Sequence, residues 1–290
     1  MNLRKPSVAL LLSAALASCG VAPDKRPPQQ PRHILRPSSD RGLQTYYDRL
    51  RMLDAARHSS VPAPLVVLRE RTSWNHLGSD SPTFVLYADG TVIYRAGEIY
   101  RSTKLDRDAK AALLNALLLD ALSHQSGRYE TTSDTDQATA DLLFYGVPKP
   151  FSISIYGDAK APAVRAQLSD EIIAAYDLLR GFARPGATPW LPAQIEVLLM
   201  SYDNAIEPSI AWPKEWPGLG SMKRKQHYSM DAGSGPPLWI DEGSIYLPAK
   251  DLGRLQALLA TEREKGAVLI GGRKWSVSPR LPFPREELWQ

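Results

Sequence analysis

A single cysteine, Cys19, occurs in the 290 residues of this chain. No disulfide can form within it, and a cysteine zinc site or cysteine nucleophile is excluded from everything beyond that position. Histidine is sparse as well. His33, His58, His76, His124 and His227 all stand more than four residues apart, so the paired histidines of an H-E-x-x-H zinc helix are missing. The chain lacks a G-x-S-x-G nucleophile elbow, a G-x-x-x-x-G-K-S/T phosphate loop and the glycine fingerprint of a dinucleotide-binding βαβ unit. No apolar run approaches the roughly 20 residues that span a bilayer. An excess of one charge is also lacking: the net charge is +4, and Arg4 and Lys5 supply two of it. That balance gives no ground for a nucleic-acid partner, which needs a concentrated basic face. The longest basic run, Lys223-Arg224-Lys225, reads as a solvated loop face. No cofactor and no metal site is expected.

What is present is first of all an export signal. Arg4 and Lys5 form a positive start, and residues 8–16 form an apolar stretch too short to span a membrane. Leu16-Ala17-Ser18-Cys19 follows. This tetrapeptide resembles the lipobox of bacterial lipoproteins. The resemblance covers the first 20 residues only; the body resembles no characterised family. It implies cleavage after Ser18, diacylation of the Cys19 thiol and a palmitate-type acyl chain on the new terminus. Gly20, where an aspartate would favour inner-membrane retention, implies an outer-membrane anchor with the body in the periplasm or at the cell surface. Two or three acyl chains would make that attachment effectively permanent, because each buried methylene contributes roughly 0.8 kcal/mol.

The expected organisation is a signal over residues 1–18, a Pro- and Gln-rich tether over 19–41, and a globular body over 42–290, either one domain or two subdomains, 42–203 and 204–290. Hydrophobic residues make up 43% of the chain, enough for a sizeable core. Apolar spacing predicts helices over 42–58, 105–125, 169–182 and 250–264, with Ser169 as an N-cap and Gly266 as a C-cap. Alternating β-branched and aromatic residues predict strands over 64–70, 83–87, 91–95, 140–147, 151–156, 196–201 and 244–247. A further strand starts at Ile99-Tyr100, and 267–270 pairs with 275–278 across Gly271-Gly272-Arg273. Ala88-Asp89-Gly90 marks a tight hairpin, with Asp-Gly supplying positive φ. Residues 208–237 read as a long irregular loop. The order predicts an α+β fold of antiparallel hairpins packed against amphipathic helices. Gly97-Glu98-Ile99-Tyr100 and Gly243-Ser244-Ile245-Tyr246 form a short internal echo, each ahead of a helix.

Candidate chemistry is thin. Ser133-Asp134-Thr135-Asp136 offers carboxylates but not the spacing of an EF-hand, and reads as a polar turn. Glu130, Asp134 and Asp136, or Asp241-Glu242, can serve as an acid–base pair only if folding sets them at glycosidase separation. Gly233-Ser234-Gly235 reads as a flexible loop. Trp212-Pro213-Lys214-Glu215-Trp216-Pro217 is the most unusual segment. Its indoles at Trp212 and Trp216 are either a stiff recognition surface for a partner or pins that hold the loop on the body, as for Trp190. These features favour an envelope lipoprotein that binds a protein partner, as an assembly factor or inhibitor. An envelope hydrolase working on glycan or peptide through paired carboxylates is the alternative. The missing catalytic motifs weigh against an enzyme.

Overall fold

Strands dominate. Fourteen strands and five helices occur among the residues that the structure, a computed structural model, describes: 62–72, 80–146, 149–225 and 242–288. All of them belong to residues 31–290, one of the two units into which the chain divides. The signal, Cys19, the tether, the helix expected over 42–58, Gly233-Ser234-Gly235, Asp241 and the histidines His33, His58, His76 and His227 lie outside the described residues.

The first sheet is built outward from β1 (Pro64–Arg71), whose Val66, Val67 and Leu68 leave almost no surface exposed. On one side β1 pairs with β2 (Phe84–Tyr87), then β3 (Thr91–Ala96), β4 (Ile99–Lys104) and, at the edge, β8 (Thr188–Pro189). On the other side come β6 (Thr139–Phe144), β7 (Phe151–Tyr156) and β5 (Gly127–Glu130). The second sheet centres on β9 (Gln194–Ser201), between β12 (Glu242–Pro248) and β14 (Arg273–Arg280). Beyond β12 lies β11 (Lys223–Lys225), and beyond β14 lie β13 (Val268–Ile270) and β10 (Ile210–Ala211). Within this unit the chain passes from the first sheet to the second through residues 190–193, between β8 and β9.

Two pairings depart from the antiparallel expectation: β5 runs parallel to β7, and β10 parallel to β13. β5 escapes a sequence reading because only Tyr129 of its four residues is buried. The basic run is also not loop. It forms the edge strand β11, paired with Glu242–Ser244 of β12, and Lys and Arg are residues that discourage further strand addition at an edge.

The hairpin turn holds with a different division of labour. Only Gly90 takes a positive φ, +86°, and a Cβ there would meet the Leu105 carbonyl oxygen at 2.4 Å. Asp89 instead accepts from the Thr91 N–H at 3.0 Å and pairs with Lys104. Burial works against the Asp89 charge, but Lys104 and Thr91 outweigh it and hold the carboxyl below its usual 3.8. A depressed carboxyl stabilises the fold above its unfolded pKa, and that contribution is lost as pH falls through the folded value. Asp89→Asn is therefore expected to lower stability at pH 7 by less than about 1 kcal/mol, since the pair is exposed. Urea unfolding at pH 7 and pH 2 checks this, with the difference from wild type vanishing in acid. Gly271 and Gly272 both take positive φ, +57° and +80°, as a two-residue turn between β13 and β14 requires.

The helix expected over 105–125 is broken. α1 (Arg107–Ala116) starts at the Asp106 N-cap, whose side chain accepts from the Ala109 N–H. Leu118 then adopts φ +48°, and α2 (Leu119–Ser123) follows. A straight helix carries the stripe of Leu113 and Leu117 onward to Ala121. The break turns Leu122 inward instead, fully buried, and leaves Ala121 and Leu118 exposed. No glycine marks the position, so propensity gives no warning. Leu118→Gly is expected to raise stability by about 0.5–1 kcal/mol, because left-handed strain of roughly 1–2 kcal/mol outweighs the added chain entropy. Chemical denaturation reads this; a loss of about 1 kcal/mol is what a glycine inside a continuous helix would give.

α3 (Pro162–Arg165) and α4 (Asp170–Arg180) follow β7, and Ser169 caps α4 as expected by accepting from the Ile172 N–H. α5 (Leu252–Leu259) is shorter than its sequence pattern and ends at Ala260, so Gly266 is not its cap. Both halves of the internal echo place their Ile-Tyr pair on a strand that precedes a helix, β4 before α1 and β12 before α5, but their glycines differ: Gly97 sits in the β3–β4 turn and Gly243 inside β12, opposite Leu199.

The apolar side chains gather in three clusters. Val66, Leu68, Phe84, Leu86 and Leu142 meet Leu113, Leu117, Ile172 and Tyr176 of the helices. The opposite face of the same sheet, with Val67, Val85, Tyr87 and Ile93, meets Phe283 and Leu288 of the C-terminal segment. Ile195, Val197, Ile245 and Trp275 of the second sheet meet Leu255 of α5.

Candidate functional site

At one end of the first sheet the strand ends leave an open cleft of about 520 Å³. The last residues of β1 and β3 contribute Glu70, Arg71 and Arg95, the turn after β7 contributes Asp158 and Lys160, and α4 contributes Tyr176 and Arg180. A second cleft of about 430 Å³ opens between this end and the second sheet. Its lining is mixed: Ile99, Tyr100, Trp190, Leu191, Ile195 and Leu252 share it with charged and polar residues that include Gln256 and Arg280. Glu70, Asp80, Thr83, Arg95 and Glu98 line both clefts, so the two form one groove.

Glu70 is the best-held group in it. Val66, Leu68 and Glu70 share one face of β1, so the carboxylate follows the apolar residues toward α4. One carboxylate oxygen accepts from the Tyr176 hydroxyl at 2.6 Å and from Arg180 at 3.3 Å. The other accepts from the Thr83 hydroxyl at 2.8 Å. Burial, then the hydrogen bond to Glu70 and the charge of that carboxylate, push the Tyr176 phenol far up, so it remains a donor. On the far side of the junction burial pushes the Tyr100 phenol up to about 12. Arg95 and the bond to Ser81 pull it down, while Asp80 and Glu70 push it further up. Tyr100, Trp190 and Phe283 form an aromatic knot, with Phe283 ring centroids at 5.4 Å from Tyr100 and 4.7 Å from Trp190. The Trp190 N–H donates to the Tyr100 carbonyl at 2.9 Å, which fixes the connection between the sheets against β4. Beside this knot Ile99 and Leu191 are half exposed, 48% and 50%.

The residues singled out from sequence lie elsewhere. Trp212 and Trp216 are buried in the second core with their rings 4.9 Å apart, and the Trp212 indole N–H donates to the Pro217 carbonyl at 3.0 Å. They pin their loop as the packing alternative requires, and Arg254 lies over the Trp216 ring. Glu130 pairs with Arg128 at 3.2 Å. Asp134 and Asp136 sit in a polar turn, where the Asp134 N–H donates to the Thr132 hydroxyl and the Asp134 carbonyl accepts from Tyr156. None of these three acids lines the groove. Glu242 is buried inside β12. His124, the one described histidine, is exposed at the C-cap of α2. No group of three or more His, Cys, Asp or Glu able to hold a metal forms among the described residues. No helix among them is long and apolar enough to cross a membrane.

The groove residues carry no motif. Glu70 meets Thr83, Tyr176 and Arg180 across 13, 106 and 110 positions of sequence. The one local signal is a charged triplet, Arg69-Glu70-Arg71, closing an otherwise apolar strand. Comparison with protein-family models, curated proteins and solved structures finds no match to this chain.

Proposed function

We propose that the chain is a lipid-anchored protein of the bacterial cell envelope whose folded body binds a partner in the groove between its sheets. The observation that supports binding is the groove itself, in which an aromatic and aliphatic wall with half-exposed Ile99 and Leu191 adjoins a set of charged side chains held in place. The lipobox ending in Cys19 supports the anchor, and Gly20 an outer-membrane site facing the periplasm. In this reading the amphipathic helices cover antiparallel hairpins and leave the strand ends free to receive a partner.

An envelope hydrolase is a second reading with one observation in its favour. The Thr83 hydroxyl donates to Glu70, and Asp80, Glu98 and Asp158 line the same groove. Against it, Tyr176, Arg180 and Thr83 already occupy both oxygens of the Glu70 carboxylate.

Cross-linked recovery from cells carrying the wild-type chain, Cys19→Ala and Leu191→Arg tests the proposal. Wild type is expected in the membrane fraction with acyl mass on its N-terminal peptide, and Cys19→Ala in the soluble fraction. A protein recovered in near-equal amount with wild type is expected to be lost with Leu191→Arg. A wild-type chain without acyl mass removes the anchor from the proposal, and a partner retained by Leu191→Arg removes the groove.

A further inference from the structure

We infer that residues 281–288 form a strap that lifts off the first sheet as one unit while both sheets stay folded, and that its lifting opens the joint behind the second cleft. Among the described strands and helices, none of the first sheet packs extensively against one of the second. The two halves meet through Tyr100 and Trp190, which pack against the second core and also against the cluster under the C-terminal segment. The strap closes that joint from behind. Phe283 lies against both rings, and Leu281, two residues earlier, lines the second cleft. The closed strap therefore sets the shape of that cleft.

The way the strap is held makes it separable. It adds no strand to either sheet. Three hydroxyls hold its backbone instead. Ser81 donates to the Leu281 carbonyl at 2.9 Å and accepts from the Leu281 N–H at 2.8 Å. Tyr87 donates to the Pro284 carbonyl at 2.9 Å and Tyr145 to the Leu288 carbonyl at 3.2 Å. Lifting breaks these bonds and uncovers Phe283 and Leu288 but costs no ladder bond, so it needs only part of the global unfolding free energy. Pro282 and Pro284 fix their own φ and stiffen the strip, and Glu286 ties it to itself by accepting from the Phe283 N–H at 2.9 Å. Arg285 takes φ +62°, a left-handed conformation that a residue with a Cβ holds at a cost, so the closed strap carries strain that lifting releases. At its base Arg280 reaches Glu286, yet it keeps Glu196 of β9 when the strap lifts, so the second sheet retains its buried pair.

The test uses the full chain with Cys19→Ala, which leaves no thiol, and adds one buried cysteine at a time. Val85→Cys lies under the strap, Ile195→Cys in the second core at the wall of the second cleft, and Val92→Cys on the helix-covered face of the first sheet. All three native side chains are fully buried. The rate at which an aromatic disulfide reagent modifies each thiol without denaturant is compared with the rate that the same variant's global unfolding, measured in urea, allows. Val85→Cys and Ile195→Cys are expected to react about tenfold or more above that rate, and Val92→Cys at it. Tyr145→Phe removes one hold on Leu288 and is expected to speed the first two by about fivefold while leaving the third at its global rate. Reaction of all three at the global rate overturns the strap, and so does fast reaction of Val92→Cys, which would mean that the whole first sheet loosens. Fast Val85→Cys with Ile195→Cys at the global rate overturns the opening of the joint. No ligand takes part, so a strap that fails here leaves the groove standing wherever cross-linking returns a partner lost with Leu191→Arg.

Discussion

Replacing Arg280 by methionine is expected to lower the unfolding free energy by about 3–5 kcal/mol, the usual cost of stripping one partner from a buried ion pair. Arg280 ends β14 with its side chain 1% exposed, opposite Glu196 of β9 at 3%. Its Nε lies 3.3 Å from the Glu196 carboxylate, and its Nη2 reaches Glu286. Ser244 of β12 donates a second bond to Glu196. Tyr246, cross-strand from Glu196, has its phenol pushed up by burial first and then by the charge of Glu196. Without Arg280 the carboxylate keeps the Ser244 hydroxyl as a donor but loses the opposite charge while almost wholly shielded from solvent. The pair as a whole is a different matter. Desolvation offsets most of its attraction, so Glu196→Leu combined with Arg280→Met is expected to recover most of the loss. Equilibrium urea unfolding of the two single variants and the double variant gives the coupling. Additive losses would mean that the two side chains act separately and that the geometry stabilises through packing alone.

That pair also shows where sequence reasoning stops. Alternation along β9 puts Ile195, Val197 and Leu199 on one face, and this periodicity is enough to find the strand. It cannot tell that Glu196, on the other face, is covered rather than solvated. The hairpins, the Ser169 cap and the Gly271-Gly272 turn were legible for the same reason: each is decided within a few residues. What failed was decided at a distance. Leu118 breaks its helix because the core needs Leu122, and β5 pairs in parallel because β7 is within reach. The groove lay furthest beyond the sequence. Its central carboxylate meets a threonine, a tyrosine and an arginine from other elements, and no short spacing announces such a meeting. The tryptophans Trp212 and Trp216 drew attention by composition, and composition cannot distinguish a binding surface from a well-filled core.

Phe283→Ala is expected to cost about 3–5 kcal/mol and to weaken binding in the groove as well. Phe283 follows β14 and is 3% exposed. It crosses from the second sheet to cover Val67, Val85, Tyr87 and Ile93 on the face of the first sheet away from the helices. The segment around it is tied by the Tyr87 hydroxyl to the Pro284 carbonyl at 2.9 Å and by the Tyr145 hydroxyl to the Leu288 carbonyl at 3.2 Å. Upstream, Ser81 both donates to the Leu281 carbonyl and accepts from the Leu281 N–H. Truncation to alanine removes the ring that packs against Tyr100 and Trp190, leaving a cavity under the wall of the second cleft. Phe283→Leu refills most of that volume and is expected to cost less than half as much. The two variants separate stability from binding. Cross-linked recovery of the groove's partner, made where both variants are fully folded, is expected to return less of it with Phe283→Ala and near wild-type amounts with Phe283→Leu, because Trp190 needs a neighbour of sufficient size, aromatic or not, to hold its indole against the groove. Equal binding by all three chains would place Trp190 outside the recognition surface and leave Phe283 as a clamp between the sheets alone.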